Sequence, residues 1–297
     1  MMALVGLAGP ARAEGGAVSE RSVASRHLSA PLRYQLYLPV GYDAGSQRYP
    51  VIYLLHGRGD NFKAWLKCAA LLDALIAAGD IPPLIAVMPD APSSQRGGYY
   101  VDAEPPGEPV ESAFIDELLP HIDASLRTIA QRDGRVIGGY SMGGYGALRY
   151  ALVYPALFAS AIVLSPAVYT PLPPMGSSVR EFGAFGRGSE RFVDALYRSK
   201  NYPALLAGFA AQKLALRLFI VAGDDEYKNP NPAEAGNDID LEAHLLFNRV
   251  SRVPGISAEL RILNGGHDWA VWTPAFREGL IALVGKRQKL AGEHSLR

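Results

Sequence analysis

The sequence predicts an α/β domain built on a mainly parallel sheet with helices on both faces. Short apolar runs of strand length alternate along the chain with longer segments at helical spacing. Continuous apolar runs at 51–55 and 84–88 are typical of strands that are covered on both sides. A glycine-rich turn around Ser141 joins a strand-like run at 135–137 to a helix-like run at 145–152, which is a common junction in α/β proteins.

The individual elements follow from these patterns in chain order. The predicted strands cover 22–28, 32–39, 51–55, 84–88, 135–137, 161–164, 216–221 and 258–263. The predicted helices cover 62–78, with Gly79 as its end, 111–127, 145–152, 241–250 and 274–284. One domain, 19–288, accounts for all of them, and a polar tail of residues 289–297 follows.

Two segments depart from this alternation. Residues 166–212 are rich in proline, glycine and aromatic residues, and we expect a lid-like excursion, either a lid or binding wall or a packed surface segment. Residues 1–18 are a signal peptide or a mobile tail. Their apolar run ends in Ala11-Arg12-Ala13, which suits a secretory cleavage site, although a basic leading region is missing. We therefore expect an exported protein, periplasmic or secreted, and a cytoplasmic one otherwise.

Composition excludes several classes of function. The 297 residues carry 29 basic and 29 acidic side chains, so no net charge favours binding to nucleic acid or to an anionic membrane. Because no run of eighteen apolar residues occurs, we expect no membrane-spanning helix. Cys68 is the single cysteine, which excludes an intrachain disulfide and a cysteine-rich metal site.

The most informative motif is Gly139-Tyr140-Ser141-Met142-Gly143. A serine with glycines two residues away on each side, between strand and helix, is the nucleophile-elbow pattern. The turn is tight and strained, and side chains at the two glycine positions would collide with it. The helix that follows directs backbone N–H groups towards an anion forming beside Ser141.

A serine hydroxyl needs a base, and in an elbow fold the order along the chain is serine, acid, histidine. Three histidines follow Ser141. His244 lies in a helical pattern and His294 in the polar tail, whereas His267 lies in a loop directly after the last predicted strand. We therefore expect His267 to be the base.

The acid is expected in the loop after the strand at 216–221, where Asp224, Asp225 and Glu226 are consecutive. Three adjacent carboxylates cannot all face one imidazole. We choose Asp225, with Glu226 as the next candidate and Asp224 as the third. A solvated acidic loop would account for any two of them.

An oxyanion hole should combine the N–H of Met142, directly after the nucleophile, with one N–H from a loop that follows an early strand. The loop after 51–55 contains Arg58 between two glycines, and the Arg58 N–H is the candidate donor. Its guanidinium could bind an anionic substrate or face solvent. His56 is expected to anchor this loop.

These residues resemble the putative-esterase group of α/β-hydrolases. That group includes esterase D (S-formylglutathione hydrolase), bacterial feruloyl esterases and mycobacterial mycolyltransferases of the antigen 85 type. The matching segments are YPVIYLLHG at 49–57, GYSMGGYGAL at 139–148 and GGHDW at 265–269. In many relatives the acid stands three residues after the glycine of the late strand, a position that Glu226 occupies here.

The resemblance implies an α/β-hydrolase fold, a triad of Ser141, an acid and His267, and a small ester or thioester substrate that reacts without cofactor or metal. Two alternatives remain. An acyltransferase would differ only in using an alcohol rather than water as the second nucleophile. A non-catalytic binding protein on the same fold would typically lose the serine or the histidine, and both are present here.

Overall fold

The computed structural model describes residues 15–91, 98–228, 236 and 238–285. Within these ranges the centre of the molecule is one eight-stranded sheet. Its strands are β1 (Ala17–Val23), β2 (Leu32–Leu38), β3 (Val51–Leu55), β4 (Ile85–Pro89), β5 (Arg135–Tyr140), β6 (Ser160–Leu164), β7 (Leu216–Gly223) and β8 (Ile256–Leu263).

The strand order is β1-β2-β4-β3-β5-β6-β7-β8. β2 is antiparallel to both β1 and β4, and all pairs from β4 to β8 are parallel. The predicted α/β class and mainly parallel sheet are confirmed. Because parallel strands end at the same edge, the loops after β3, β5, β6, β7 and β8 meet at one side of the sheet.

The first predicted strand, 22–28, is wrong in position. β1 pairs with β2 from Ala17 opposite Leu38 to Val23 opposite Leu32, so strand pairing ends at residue 23. Beyond it, the Ser25 hydroxyl and the Arg26 backbone N–H both donate to the Glu117 carboxylate. These groups bind a side chain instead of a neighbouring strand, and the chain leaves the sheet.

The helices largely follow the predicted segments, with shifted ends. They are α1 (Ala69–Ala78), α2 (Val110–Ser112), α3 (Leu119–Ser125), α4 (Met142–Val153), α5 (Asp194–Lys200), α6 (Tyr202–Ala211), α7 (Ile239–Val250) and α8 (Trp269–Val284). A 3₁₀ turn (Ala64–Cys68) precedes α1, and a π-helical turn (Ala113–Leu118) joins α2 to α3. Gly79 ends α1 in the left-handed conformation, with φ of 76°.

Two apolar layers cover the sheet. On one face α1 and α8 bury residues such as Leu72 and Phe276 against Ile52 and Ile162. On the other face α3, α4 and α7 contribute to a larger core. The continuous burial of β3, β4 and β6 explains why their sequences are almost entirely apolar, with Ser160 at the start of β6 as the polar exception.

The excursion at 166–212 contains α5 and α6 and packs its aromatic residues inward. Phe185, Tyr197 and Phe209 are fully buried. The carbonyl of Lys200, at the end of α5, accepts hydrogen bonds from Tyr145 and Arg149 of α4. These contacts hold the excursion against the helix that follows Ser141. A lid motion of this segment stays a prediction.

No helix in the described part of the chain is long and apolar enough to cross a membrane. The predicted cleavage site before Glu14 and the polar tail at 289–297 lie outside the described residues. Export therefore stays a prediction, as do the limits of the single domain.

Candidate active site

Ser141 lies at the tip of β5, between that strand and α4. Its backbone φ of 56° and ψ of −120° fall in a region that residues other than glycine rarely adopt, and this strain costs about 1–3 kcal/mol of free energy. A Cβ at Gly139 would lie 2.2 Å from the Gly143 carbonyl oxygen, and one at Gly143 would lie 2.2 Å from the Leu55 carbonyl oxygen. The two flanking glycines are therefore required by steric contacts, as the motif predicts.

His267 lies in the loop between β8 and α8, and its imidazole contacts a carboxylate. The Nδ1 atom of His267 is 2.6 Å from Oε2 of Glu226. The Glu226 side chain is fully buried, whereas His267 remains partly exposed. Since the carboxylate can only accept, Nδ1 carries the proton and Nε2 is left to face away from Glu226.

The expectation that Asp225 lies beside His267 is corrected by this contact. Asp225 turns outward and pairs with Lys228 at 2.7 Å between carboxylate oxygen and Nζ. Asp224 accepts the backbone N–H of Gly265 at 2.9 Å. The turn after β7 thus gives each carboxylate a different direction, and only Glu226 points into the protein. The sequence signal for Glu226 was its position three residues after the glycine of the late strand, where many relatives have the acid.

Trp272 links the His267 loop to the residue that precedes Ser141. The Trp272 ring meets the His267 ring edge-on at 5.0 Å between centroids. It also stacks on Tyr140, the residue before Ser141, at 4.3 Å. Among the described residues the Ser141 hydroxyl makes no hydrogen bond, to His267 or to another group. Such catalytic hydrogen bonds are often long before substrate binds.

The loop after β3 lies directly against Ser141. A Cβ at Gly57 would lie 3.4 Å from the Ser141 Cβ and 2.5 Å from the Tyr140 ring, so only glycine fits. A hydrogen bond from the Asp60 N–H to the Gly57 carbonyl closes a turn, and Gly59 adopts φ of 76° within it. Arg58 is exposed in this turn, with its guanidinium 5.8 Å from the Phe182 ring centroid.

His56 anchors this loop, as its sequence position predicts. It is fully buried, and its Nδ1–H donates to the Gly57 carbonyl at 2.8 Å. The His56 Nε2 atom lies 3.0 Å from the Ala91 backbone nitrogen and 3.1 Å from Oδ1 of Asp90. The Tyr100 hydroxyl bonds both the N–H and the carbonyl of His56. Both ring nitrogens of His56 are therefore occupied by contacts within the protein, which leaves neither free to serve as the base.

Two side chains that the sequence did not single out complete the site. The Tyr140 hydroxyl donates to Asp60 at 2.7 Å, which ties the end of β5 to the loop that carries Arg58. Burial and this bond raise the pKa of Tyr140 far above its ordinary value, so it stays a donor. Ser165, at the end of β6, contacts Glu226. Neither role has a local sequence signal, because both depend on contacts between separate loops.

A cavity of about 890 Å³ is lined by neither Ser141 nor His267, and its link to the loop after β3 is through Phe182. Its walls are the turn at 98–108 and the segment 181–191, which the Glu104–Arg187 ion pair joins. Phe182 lines this cavity and also contacts Arg58. In the described ranges no cluster of His, Cys, Asp or Glu has an arrangement suited to a metal ion.

The fold and this arrangement define an α/β-hydrolase. The model of the family described as "Putative esterase" matches residues 25–283, and the chain belongs to that family. The resemblance inferred from the motifs is thereby confirmed.

Two curated relatives and one solved structure illustrate the similarity. An esterase of Mycobacterium tuberculosis is 40% identical over 131 residues, which are 42% of this chain and 26% of the relative. An endo-1,4-beta-xylanase/feruloyl esterase of Xylanibacter ruminicola is 33% identical over 192 residues, or 60% of this chain and 25% of the relative. This chain therefore spans about a quarter of the length of these relatives. The structure of a ferulic acid esterase superposes with a TM-score of 0.73 at 24% identity, covering 91% of this chain and 98% of that one.

Proposed function

We propose that this chain is a serine carboxylesterase that hydrolyses an ester or thioester through Ser141, His267 and Glu226. The observation that carries the proposal is the contact of the buried Glu226 with His267, together with the ring of Trp272, which contacts both His267 and the residue before the strained Ser141. A strained serine, a base and an acid that orients the base make up a hydrolytic triad.

The first half of the reaction acylates the serine. The Nε2 atom of His267 accepts the Ser141 proton while Oγ attacks the carbonyl carbon of the substrate. Glu226 stabilises the imidazolium that forms, because its carboxylate already contacts Nδ1. Nε2 then returns the proton to the leaving alkoxide or thiolate as its bond to the carbonyl carbon breaks, and the acyl group stays on Ser141.

The second half uses water in place of the serine. His267 removes a proton from water, the resulting hydroxide attacks the acyl carbon, and Ser141 leaves with the proton that His267 returns. The backbone N–H groups of Met142 and Arg58 are proposed to bind the oxyanion in both halves. Met142 begins α4, so its N–H has no partner within the helix, and the turn with Arg58 lies against Ser141.

The cavity lined by Phe182, whose ring also contacts Arg58, is proposed to receive the part of the ester remote from the scissile bond. Its volume of about 890 Å³ would accommodate an aromatic acyl or alcohol group. The relative from Xylanibacter ruminicola is named a feruloyl esterase, which makes methyl ferulate the first large ester to compare with p-nitrophenyl acetate.

Replacement of Ser141 tests the proposal directly. We expect Ser141→Ala to lower kcat for p-nitrophenyl acetate by roughly 10⁴-fold or more, since the nucleophile is lost. A fluorophosphonate probe should add to Ser141 of the wild type and leave the variant unlabelled. Ser160→Ala serves as the control, because it removes another buried serine, which lies at the start of β6. Turnover by Ser141→Ala equal to that of the control would exclude the proposed chemistry.

A further inference from the structure

A second serine stands at the end of the strand next to the nucleophile. Ser165 directly follows β6, has φ of 41° and is fully buried. Its backbone N–H donates to the Val221 carbonyl at 2.6 Å, which fixes the turn to β7. Its hydroxyl lies between Trp272 and Glu226.

The chemistry of these partners decides which way the protons point. The indole Nε1–H of Trp272 can only donate, and it lies 2.9 Å from the Ser165 Oγ. The single hydroxyl proton of Ser165 is then directed to Oε1 of Glu226, which is 2.5 Å away. A chain of hydrogen bonds therefore runs from Trp272 through Ser165 and Glu226 to His267.

A buried carboxylate is stable only when donors surround it. The two oxygens of Glu226 accept from Ser165, from the Gly223 N–H at 3.1 Å and from His267. In the described part of the chain no lysine or arginine forms an ion pair with Glu226. The Ser165 hydroxyl is thus one of a small set of groups that hold this charge.

We propose that Ser165, oriented by Trp272, is a positioning residue that holds the Glu226 carboxylate turned towards His267. This inference rests on the proposed esterase function. With Oε1 occupied by Ser165 and Gly223, only Oε2 faces the imidazole, so the carboxylate cannot rotate away. Trp272 also stacks on Tyr140, so the same side chain braces the strand that ends at Ser141.

The arrangement has a consequence for the pH dependence of the reaction. Because the Ser165 hydroxyl donates to Glu226, it stabilises the Glu226–His267 pair most when the pair carries a net negative charge, with neutral imidazole. Without the hydroxyl this form is less favoured relative to the form with an imidazolium. The acid limb of kcat/KM should therefore move to higher pH.

Other ionisable groups on the surrounding elements are unchanged in the variants, so their effects cancel in the comparison. These groups are Asp60, Tyr140, Lys67, Asp224, Asp225 with Lys228, Tyr227 and Asp268.

Ser165→Gly is the variant of choice, since glycine adopts φ of 41° without strain and removes only the hydroxymethyl group. We expect kcat for p-nitrophenyl acetate to fall about 10- to 100-fold with KM within about twofold, because the loss affects the charge on the base and not substrate binding. The acid limb should rise by about half a pH unit to one unit.

Two further variants make the result decisive. Trp272→Phe keeps an aromatic ring against Tyr140 but removes the indole donor, so we expect a smaller shift of the acid limb in the same direction. This variant also tests the inference if Ser165→Gly does not fold. Ser160→Ala should match the wild type in both kcat and pH profile, because this buried serine lies at the far end of the same strand.

A general loosening of the fold would lower kcat without moving the acid limb. If the acid limb of the pH profile in Ser165→Gly and Trp272→Phe lies at the same pH as in the wild type, the inference is overturned while the esterase function stands. If the wild type itself neither hydrolyses the ester nor reacts with fluorophosphonate, the proposed function fails and the inference fails with it.

Discussion

Ser141 and Ser165 end neighbouring strands, and both have a positive φ, yet their surroundings differ completely. Ser141 is half-buried, and its hydroxyl makes no hydrogen bond within the described residues. Ser165 is fully buried, and its hydroxyl both accepts and donates. The comparison teaches that residue type and backbone conformation do not make a nucleophile. A hydroxyl that already accepts one buried hydrogen bond and donates another, as that of Ser165 does, cannot attack a substrate.

The two turns are also interlocked through the backbone. The Ser141 N–H donates to the Leu164 carbonyl at 2.9 Å, and the Ala167 N–H donates to the Ser141 carbonyl at 3.2 Å. The strained turn at Ser141 is therefore braced by the turn at Ser165, which contacts Glu226. Strain of this kind persists only where surrounding structure over-determines it.

The largest effect that sharpens the comparison concerns the carboxylate bound by Ser165. We expect Glu226→Gln to lower kcat by roughly 10²- to 10⁴-fold, because a neutral amide stabilises the imidazolium poorly. Asp225→Asn, one residue away, should stay within about twofold, since Asp225 pairs with Lys228 at the surface. Hydrolysis of p-nitrophenyl acetate at constant pH measures both.

Comparing Glu226→Gln with Asp225→Asn tests whether the acid is the carboxylate that contacts His267 in the structure or the one that the sequence analysis chose. A large loss in Asp225→Asn with near-normal turnover in Glu226→Gln would contradict the assignment of the acid. It would also remove the reason for the buried Ser165 hydroxyl to face Glu226.

Most of the fold was predictable because its signals are local. The fully buried strands β3 and β4 are apolar at every position, and the glycines around Ser141 stand in a short, recognisable motif. The first strand was misplaced because its limit depends on pairing with β2 and on the Glu117 carboxylate, both distant along the chain.

The site was predictable to the level of its loops. His267 follows from chain order and from its place after the last strand, whereas the choice among three adjacent carboxylates does not. That choice depends on how the turn after β7 orients each side chain, and the turn sends Asp225 outward to Lys228. Ser165 and Trp272 escape sequence reasoning for the same reason, since they meet only when β6 and α8 pack together.

Glycine substitutions at the two serines should have opposite effects on stability. At both positions glycine relieves a positive φ, but at Ser165 it also removes two buried hydrogen bonds and leaves Trp272 without an acceptor. We expect Ser141→Gly to leave the free energy of unfolding unchanged or raise it by about 1 kcal/mol. Ser165→Gly should lower it by about 1–3 kcal/mol.

Urea denaturation of the two variants and the wild type measures this difference. Equal stabilities for Ser141→Gly and Ser165→Gly would show that the Ser165 hydroxyl contributes no more to the fold than the Ser141 hydroxyl. The two hydrogen bonds of the Ser165 hydroxyl would then make no measurable contribution to the free energy of unfolding.

The smallest effect concerns Tyr140, which touches both turns. Tyr140→Phe keeps the ring stacked on Trp272 but removes the hydroxyl that donates to Asp60. Because this bond holds the turn that presents the Arg58 N–H, we expect kcat to fall about 5- to 10-fold through a misplaced oxyanion donor. The acid limb should not move, in contrast to Ser165→Gly, since the Glu226–His267 pair is untouched. Tyr53→Phe removes a buried hydroxyl that has no hydrogen-bond partner among the described residues and should leave kcat unchanged. A shift of the acid limb in Tyr140→Phe would mean that the Ser141 turn and the Ser165 turn act as one unit rather than as two.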